Sequence, residues 1–291
     1  MLHRQRLILS MLADAGGEAT HLETTKWAFL LARESSTRGG SSFYQFVPYH
    51  FGPFSFGLFQ EVAAMTRDGL IEEIPDSRWR LTDAGRVEAR RAETDTATAA
   101  RRIVKQFAGL PSKNLIDHVY SRHAWFTINS EIRKEARRPV AELAIYTAGY
   151  EGLLIDGFLN GLLKAGISRL IDVRHNPIAR RYGFHKSTLA RLCGKLDINY
   201  QHVPALGIPS AERQGLAEGG SLERKRLFES YERTTLVQET DSIAQVAAMM
   251  QEMPSVLVCM EEKPCDCHRS HLAKPVAALT RLPIKHLEIR P

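Results

Sequence analysis

Residues 256–271 read VLVCMEEKPCDCHRSH, and the fold turns on how that stretch divides. Ser255–Cys259 is a short apolar, β-branched run with the composition of a buried strand. Met260–Pro264 breaks it with charge and proline, and Cys265-Asp266-Cys267-His268-Arg269 opens a helix that runs through Leu272, Ala273 and Val276. A strand, a polar loop and a helix start put side chains at the carboxyl end of a parallel strand, where α/β proteins bind ligands. The free amides of a helix start also favour an anion. Between Glu261 and Arg269 the chain offers carboxylates, thiols, an imidazole and a guanidinium, dense chemistry for a turn.

Outward from this stretch, alternating strands and helices begin at Leu143. Leu143–Thr147 is a strand, followed by the turn Ala148-Gly149-Tyr150-Glu151-Gly152 and a helix carrying Leu153, Phe158, Leu162 and Leu163. Ser168–Val173 is a second strand and Tyr200–Val203 a third, with a helix marked by Leu189, Leu192 and Leu196 between them. Pro204–Gly220 reads as a long loop that stays out of the core and is available as a lid. Helices from about Leu222 to Met253 lead into the opening strand, and Ile284–Leu287 closes the domain.

Residues 1–90 follow a different pattern. Leu7, Ile8, Met11 and Leu12 have helical spacing, and Thr25–Leu31 forms a second helix. Leu58, Phe59, Val62, Met65 and Leu70 define a third, stopped at Asp68-Gly69. Ile71–Ile74 and Trp79–Thr82 form a hairpin, so helices followed by a small hairpin give a winged-helix (α+β) pattern. Tyr49, Phe51, Phe54 and Phe56 are read as core and turn packing. Residues 91–140 form a basic helical connector in which Arg101, Arg102 and Lys105 are the candidate contacts to nucleic-acid phosphates. The fold class is therefore α/β: a Rossmann-like, mainly parallel sheet domain over 141–291, preceded by a winged helix.

Two resemblances attach to these segments. FYQFVPYHFGPFSFGLFQEVAAMTRDGLIEE resembles the winged-helix domains of the Panacea antitoxin type, and Leu115–Tyr120 with Trp125–Ser130 resembles a segment that often follows them. The second half resembles the domain-of-unknown-function family 488, small Rossmann-like α/β domains. Four motifs carry that likeness: Tyr146-Thr147-Ala148-Gly149-Tyr150, Asp172-Val173-Arg174, Pro204-Ala205-Leu206-Gly207, and Cys259-Met260-Glu261 with Cys267-His268-Arg269. The resemblance implies the fold and leaves the activity unassigned.

The motifs all fall just past the ends of parallel strands and should converge on one rim, lining one cleft. Glu261 or Asp172 is placed to act as general base, His268 as acid or base, and Cys267 completes the catalytic candidates. Arg174 and Arg269 suit a bidentate phosphate or carboxylate clamp, with Gly149 and Tyr150 beside the ligand. The bland readings stand next to these: Asp172 paired with an arginine, Gly149 serving a tight turn, Cys259 a core thiol. Thiolate chemistry is the next rival. However, a phosphatase or rhodanese-like loop needs its cysteine five residues before the arginine, and Cys265 and Cys267 stand at other spacings. No metal and no cofactor are expected, because the run Cys-x-Cys-His-x-x-His matches no standard zinc spacing.

Composition bounds the rest. The 291 residues carry a net charge of +6, with 44% hydrophobic and 25% charged residues, as in a soluble globular protein. The first residues, MLHRQRLILSMLADAGG, pass from a basic start into an amphipathic helix without a small-residue cleavage site, so no signal peptide is read there. No run is long enough for a membrane span, and three of the four cysteines lie between Cys259 and Cys267, unlike a secreted disulfide framework. The expectation is a cytoplasmic enzyme directed to nucleic acid (DNA) or nucleotide, hydrolysing a nucleotide, modified base or N-glycosidic bond in repair or defence. A homodimer is one assembly open to it. The alternatives are a DNA-binding regulator sensing a small anion, and a toxin–antitoxin or phage-defence interaction protein.

Overall fold

A computed structural model describes residues 1–92, 94–213 and 221–290, with a division into two units at Arg137/Arg138. In the first, helix α1 (His3–Asp14) buries Leu7, Ile8, Met11 and Leu12. Strand β1 (Glu18–Thr20) leads into α2 (His21–Glu34). Thr20 and Glu23 form the reciprocal cap that starts α2: Glu23 N–H donates to the Thr20 hydroxyl at 3.1 Å, and Thr20 N–H to the Glu23 carboxylate at 2.9 Å. Strands β2 (Val47–Tyr49) and β3 (Gly52–Phe54) make a hairpin where the sequence suggested only a turn. Helix α3 (Phe56–Arg67), capped by Ser55, precedes β4 (Ile71–Ile74) and β5 (Arg78–Leu81). β1 joins that second hairpin, giving the antiparallel order β1-β5-β4.

Helices α4 (Asp83–Ala89), α5 (Thr94–Phe107) and α6 (Ser112–Arg122) follow. The last two were expected as a separate basic connector, and here the structure differs. Ala100, Val104 and Phe107 of α5 and Leu115, Val119 and Tyr120 of α6 belong to the same buried cluster as Leu7, Trp27, Phe29 and Leu58. The apolar stripe of α5 is narrow, so its polar and charged residues hide a packed face. Of the aromatics read as packing, Phe56 is buried, whereas Phe51 is exposed and Tyr49 and Phe54 are half-buried.

The second unit is built on a sheet. β6 (Ile145–Gly149), α7 (Ile155–Lys164), β7 (Arg169–Asp172), α8 (Lys186–Gly194) and β8 (Asn199–His202) come first. Then follow α9 (Ser221–Arg233), α10 (Thr235–Gln238), α11 (Thr240–Glu252), β9 (Ser255–Cys259), α12 (His268–Thr280) and β10 (Ile284–His286). All five strands are parallel, in the order β10-β6-β9-β7-β8. β9 is central and buried along its whole length, as the unbroken apolar run requires. The chain leaves β6 towards β7 and leaves β9 towards β10, in opposite directions, which opens a crevice at the two carboxyl ends.

The segment after β8 corrects the reading of a loop outside the core. Leu206 and Ile208 are buried, Ile208 against Phe228 and Tyr231 of α9. Gly207 is held so close to the chain that an added Cβ would lie 2.1 Å from the His175 nitrogen. The remainder of the suggested lid, residues 214–220, lies outside the described residues. Among the described residues no helix is long and apolar enough to cross a membrane.

One charge in the first unit carries a stability consequence. Lys26 is buried in α2, its ammonium donating to the Pro53 carbonyl at 3.2 Å. Desolvation pushes its pKa down to about 7 from 10.5. Between those values the unfolded chain binds more protons than the folded one, so stability rises with pH across that window and the penalty is complete below it. Lys26→Met is therefore expected to raise stability at pH 7 by on the order of 3 kcal/mol, less the cost of an unpaired Pro53 carbonyl, and to flatten the slope between neutral and alkaline pH. Urea unfolding at pH 7 and pH 10 checks this; an unchanged slope would refute it.

Candidate active site

The rim at the carboxyl ends of β6, β9 and β7 brings the motif residues together, in two groups with different duties. The first is closed on itself. Asp172, fully buried at the end of β7, accepts from Arg174 Nε at 2.8 Å and Nη2 at 2.5 Å, from the Arg174 amide at 3.2 Å, and from the Tyr200 hydroxyl at 2.8 Å. Arg174 Nη1 donates to the Tyr150 hydroxyl at 2.7 Å and to the Phe184 carbonyl at 2.9 Å. Tyr150 stacks on Phe184 with ring centroids 4.1 Å apart. Although burial opposes the charge most strongly, the Asp172 carboxylate raises the pKa of Arg174 further. Arg174 and Tyr150, expected to hold ligand, spend their donors and ring faces internally. Asp172 is likewise engaged by its arginine rather than left free for a proton.

The second group sits on the β9–α12 loop. Gly149 ends β6 opposite Cys259, and a Cβ there would lie 1.8 Å from the Glu261 carbonyl oxygen. Only glycine permits that approach. It lets the amides of Tyr150 and Glu151 donate to the Met260 carbonyl at 3.0 and 2.8 Å. From the other side Arg269, 1% exposed, donates through Nη1 to the Glu261 carbonyl and through Nη2 to the Glu262 carbonyl at 2.9 Å. Arg269 is thus a clamp on the loop, not on a ligand, and the loop it fixes presents the Glu261 side chain.

Around that side chain lie Cys259, Cys267 and His268. The Cys259 thiol donates to Glu261 Oε2 at 3.2 Å. His268 places Nδ1 3.6 Å from Cys259 Sγ and 3.9 Å from Cys267 Sγ, and its Nε2 is 3.0 Å from the Val173 carbonyl. A carbonyl only accepts, so Nε2 carries a hydrogen, and in the neutral ring Nδ1 faces the sulfurs with its lone pair. Desolvation works against ionised Glu261, yet hydrogen bonds from Cys267, its own backbone and Cys259 hold its pKa below the ordinary carboxylate range. Burial pushes the Cys267 thiol well up. Desolvation would lower His268, but its contacts with Cys267, Val173 and Glu261 outweigh that and raise it. At neutral pH the set therefore offers a carboxylate base beside a Cys267 held as the thiol.

Cys259 was read as a core thiol; buried as it is, the structure makes it a member of the cluster. Its signal was its place at a strand's carboxyl end, which spacing rules do not score. Cys259, Cys267 and His268 each offer a ligand atom, all within 4.8 Å of one another, so these three could hold a metal ion. The expectation of no metal rested on the Cys-x-Cys-His-x-x-His run, and the fold sorts that run differently. Cys265 is exposed, and His271 pairs with Glu232 at 2.6 Å.

The expected single cleft is also divided. A cleft of about 560 Å³ at the ends of β6 and β10 is lined by Gly149, Glu151, Glu262, Lys263, His286 and Arg290, among others. Gly149 lines it; Asp172, Arg174, Glu261, Cys267, His268 and Arg269 do not. Sequence reasoning did not single out Lys263, His286 or Arg290. On α5, Arg101 pairs with Asp14 at 2.9 Å, while Arg102 and Lys105 are exposed.

A parallel α/β domain with its reactive side chains on the loops of the carboxyl rim is the class this half defines. Residues 154–276 match the family described as Domain of unknown function DUF488. The match contains three of the four motifs and begins after Tyr146–Tyr150. No curated protein and no solved structure matches the chain.

Two outcomes test this geometry. Asp172→Asn strands the buried Arg174 charge and is expected to cost about 3–5 kcal/mol in denaturant unfolding; a loss below about 1 kcal/mol, typical of an exposed pair, would contradict it. Iodoacetamide should modify native protein at Cys265 alone, since Cys193, Cys259 and Cys267 are buried. Intact-mass and peptide analysis reads the site of modification.

Proposed function

We propose that this protein acts on nucleic acid or its nucleotides, and that the C-terminal unit hydrolyses its substrate at the carboxyl rim of the sheet. One observation carries the reading: the Glu261 carboxylate, ionised and partly exposed, stands among an imidazole and two thiols, and the loop residues that follow it, Glu262, Lys263 and Pro264, line a 560 Å³ cleft. A carboxylate so placed takes a proton from water as the water attacks, the general-base role. The cleft is of a size to receive a nucleotide or an extruded base, which makes an N-glycosidic or nucleotide bond the target class.

In this reading the first unit is a winged helix that holds nucleic acid. Its helices, the β4–β5 hairpin and the exposed Arg102 and Lys105 support that assignment, as does the net charge of +6. A second reading is a DNA-binding regulator that senses a small anion. What favours it is a cleft of about 480 Å³ in the first unit, lined by His21, Lys26, Tyr49, His50, Phe54 and Phe59 among others.

The test is to incubate the full-length protein with oligonucleotides and mixed nucleotides and to follow the pools by mass spectrometry. Glu261→Gln is expected to lower turnover about 10²–10⁴-fold while leaving duplex affinity intact. Arg102→Glu with Lys105→Glu should weaken binding on all sequences alike and reduce its salt dependence. Unchanged pools alongside tight DNA binding would replace the first reading with the second.

A further inference from the structure

The cluster behind Glu261 brings three buried atoms able to ligate a metal close together. A thiol has one proton, and the Cys259 sulfur has two partners, Glu261 Oε2 at 3.2 Å and His268 Nδ1 at 3.6 Å. The single lone pair of Nδ1 faces two sulfurs, with Cys267 Sγ at 3.9 Å. Cys259 Sγ, Cys267 Sγ and His268 Nδ1 thus all lie within 4.8 Å of one another.

A tetrahedral zinc ion has Zn–S and Zn–N lengths of about 2.3 and 2.0–2.1 Å, which place an S···N edge at about 3.6 Å. The two observed edges are 3.6 and 3.9 Å, and all three ligand atoms lie within 4.8 Å of one another. The neutral ring of His268 is held in the required tautomer, because Nε2 donates to Val173 O at 3.0 Å and Nδ1 is left to ligate. A backbone carbonyl behind the distal ring nitrogen is how ligating histidines are commonly oriented. Two sulfurs and an imidazole select zinc over magnesium or calcium, which prefer oxygen.

We propose that Cys259 Sγ, Cys267 Sγ and His268 Nδ1 form a three-ligand zinc site joining the end of β9 to the start of α12. On binding, each thiol releases its proton to solvent and becomes a thiolate ligand, so one Zn²⁺ enters as two protons leave. The three ligands are buried, whereas Glu261 beside them is partly exposed. The fourth position therefore opens on the Glu261 side, where a bound water lies next to a carboxylate that can take its proton. Metal binding does not depend on the nucleic-acid reading; the role of the fourth position deepens it. Cys265 and His271, though nearer one another in sequence, have no part in the site.

The experiment uses the full-length protein purified without chelator or added metal. Elemental analysis is expected to find close to one zinc per chain. Exchange of the wild-type metal for cobalt should give a thiolate-to-cobalt charge-transfer band. Cys259→Ser and Cys267→Ser should each remove the metal and the band, Cys265→Ser should remove neither, and Glu261→Gln should keep both. The wild-type exchange reads the site even if a cysteine variant fails to fold. Wild-type protein that stays metal-free after incubation with excess zinc under reducing conditions would overturn the proposal. So would loss of metal from Cys265→Ser, or a disulfide between Cys259 and Cys267 that persists in reductant. Bound zinc without turnover of any nucleotide would instead leave this inference standing and sink the proposed function.

Discussion

Arg269 is the interaction on which the rim depends. Its guanidinium is almost without solvent contact, and two of its nitrogens hold the carbonyls of Glu261 and Glu262. A buried cation is costly unless its donors are met, and here backbone oxygens meet Nη1 and Nη2 while Nε is left without a partner, so the loop follows the arginine. Gly149 sets the same loop from the opposite side by bringing the end of β6 against the Glu261 carbonyl. Between these two restraints the Glu261 side chain has a defined direction, towards Cys259. A residue that touches no substrate thus positions the one that is proposed to act.

The second arginine of the rim solves a different problem. β7 ends in a buried carboxylate, and a lone Asp172 there would be strongly destabilising. Arg174 and Tyr200 saturate it, while Tyr150 and Phe184 take the rest of the guanidinium. The network ties the loops after β6 and β7 to each other by charge-assisted bonds. It makes a stiff floor beside the Cys259–Cys267–His268 cluster, whose histidine in turn leans on Val173 between Asp172 and Arg174.

The first unit shows how a charged exterior conceals a core. α5 and α6 carry many basic residues, yet Val104, Phe107, Leu115 and Val119 are buried with the residues of α1 and α2. Among the described residues Lys26 is the one buried lysine, and it lies beside the half-buried aromatics of a cleft. Its burial costs stability in a place where packing alone would have chosen an apolar side chain.

Several features were decided by local chemistry and so were legible in the chain. Apolar β-branched runs became β6, β7 and β9 within a residue or two, Asp68-Gly69 stopped α3, and the motif residues fell past strand ends on one rim. What each motif residue does was decided elsewhere. Asp172 and Arg174 are two residues apart in any conformation, but only the closeness of Tyr150, Phe184 and Tyr200, distant in the chain, converts them from ligand clamp to internal brace. Spacing rules looked for metal ligands within Cys265–His271, whereas the parallel pairing of β9 with β6 and β7 brings Cys259 from a strand to meet Cys267 and His268 on a helix start. The order of strands has the same cause: β9 is late in sequence and central in the sheet. Periodicity records how one segment buries its own face; which side chains from separate segments share a space is a property of the packed sheet, and no local pattern encodes it.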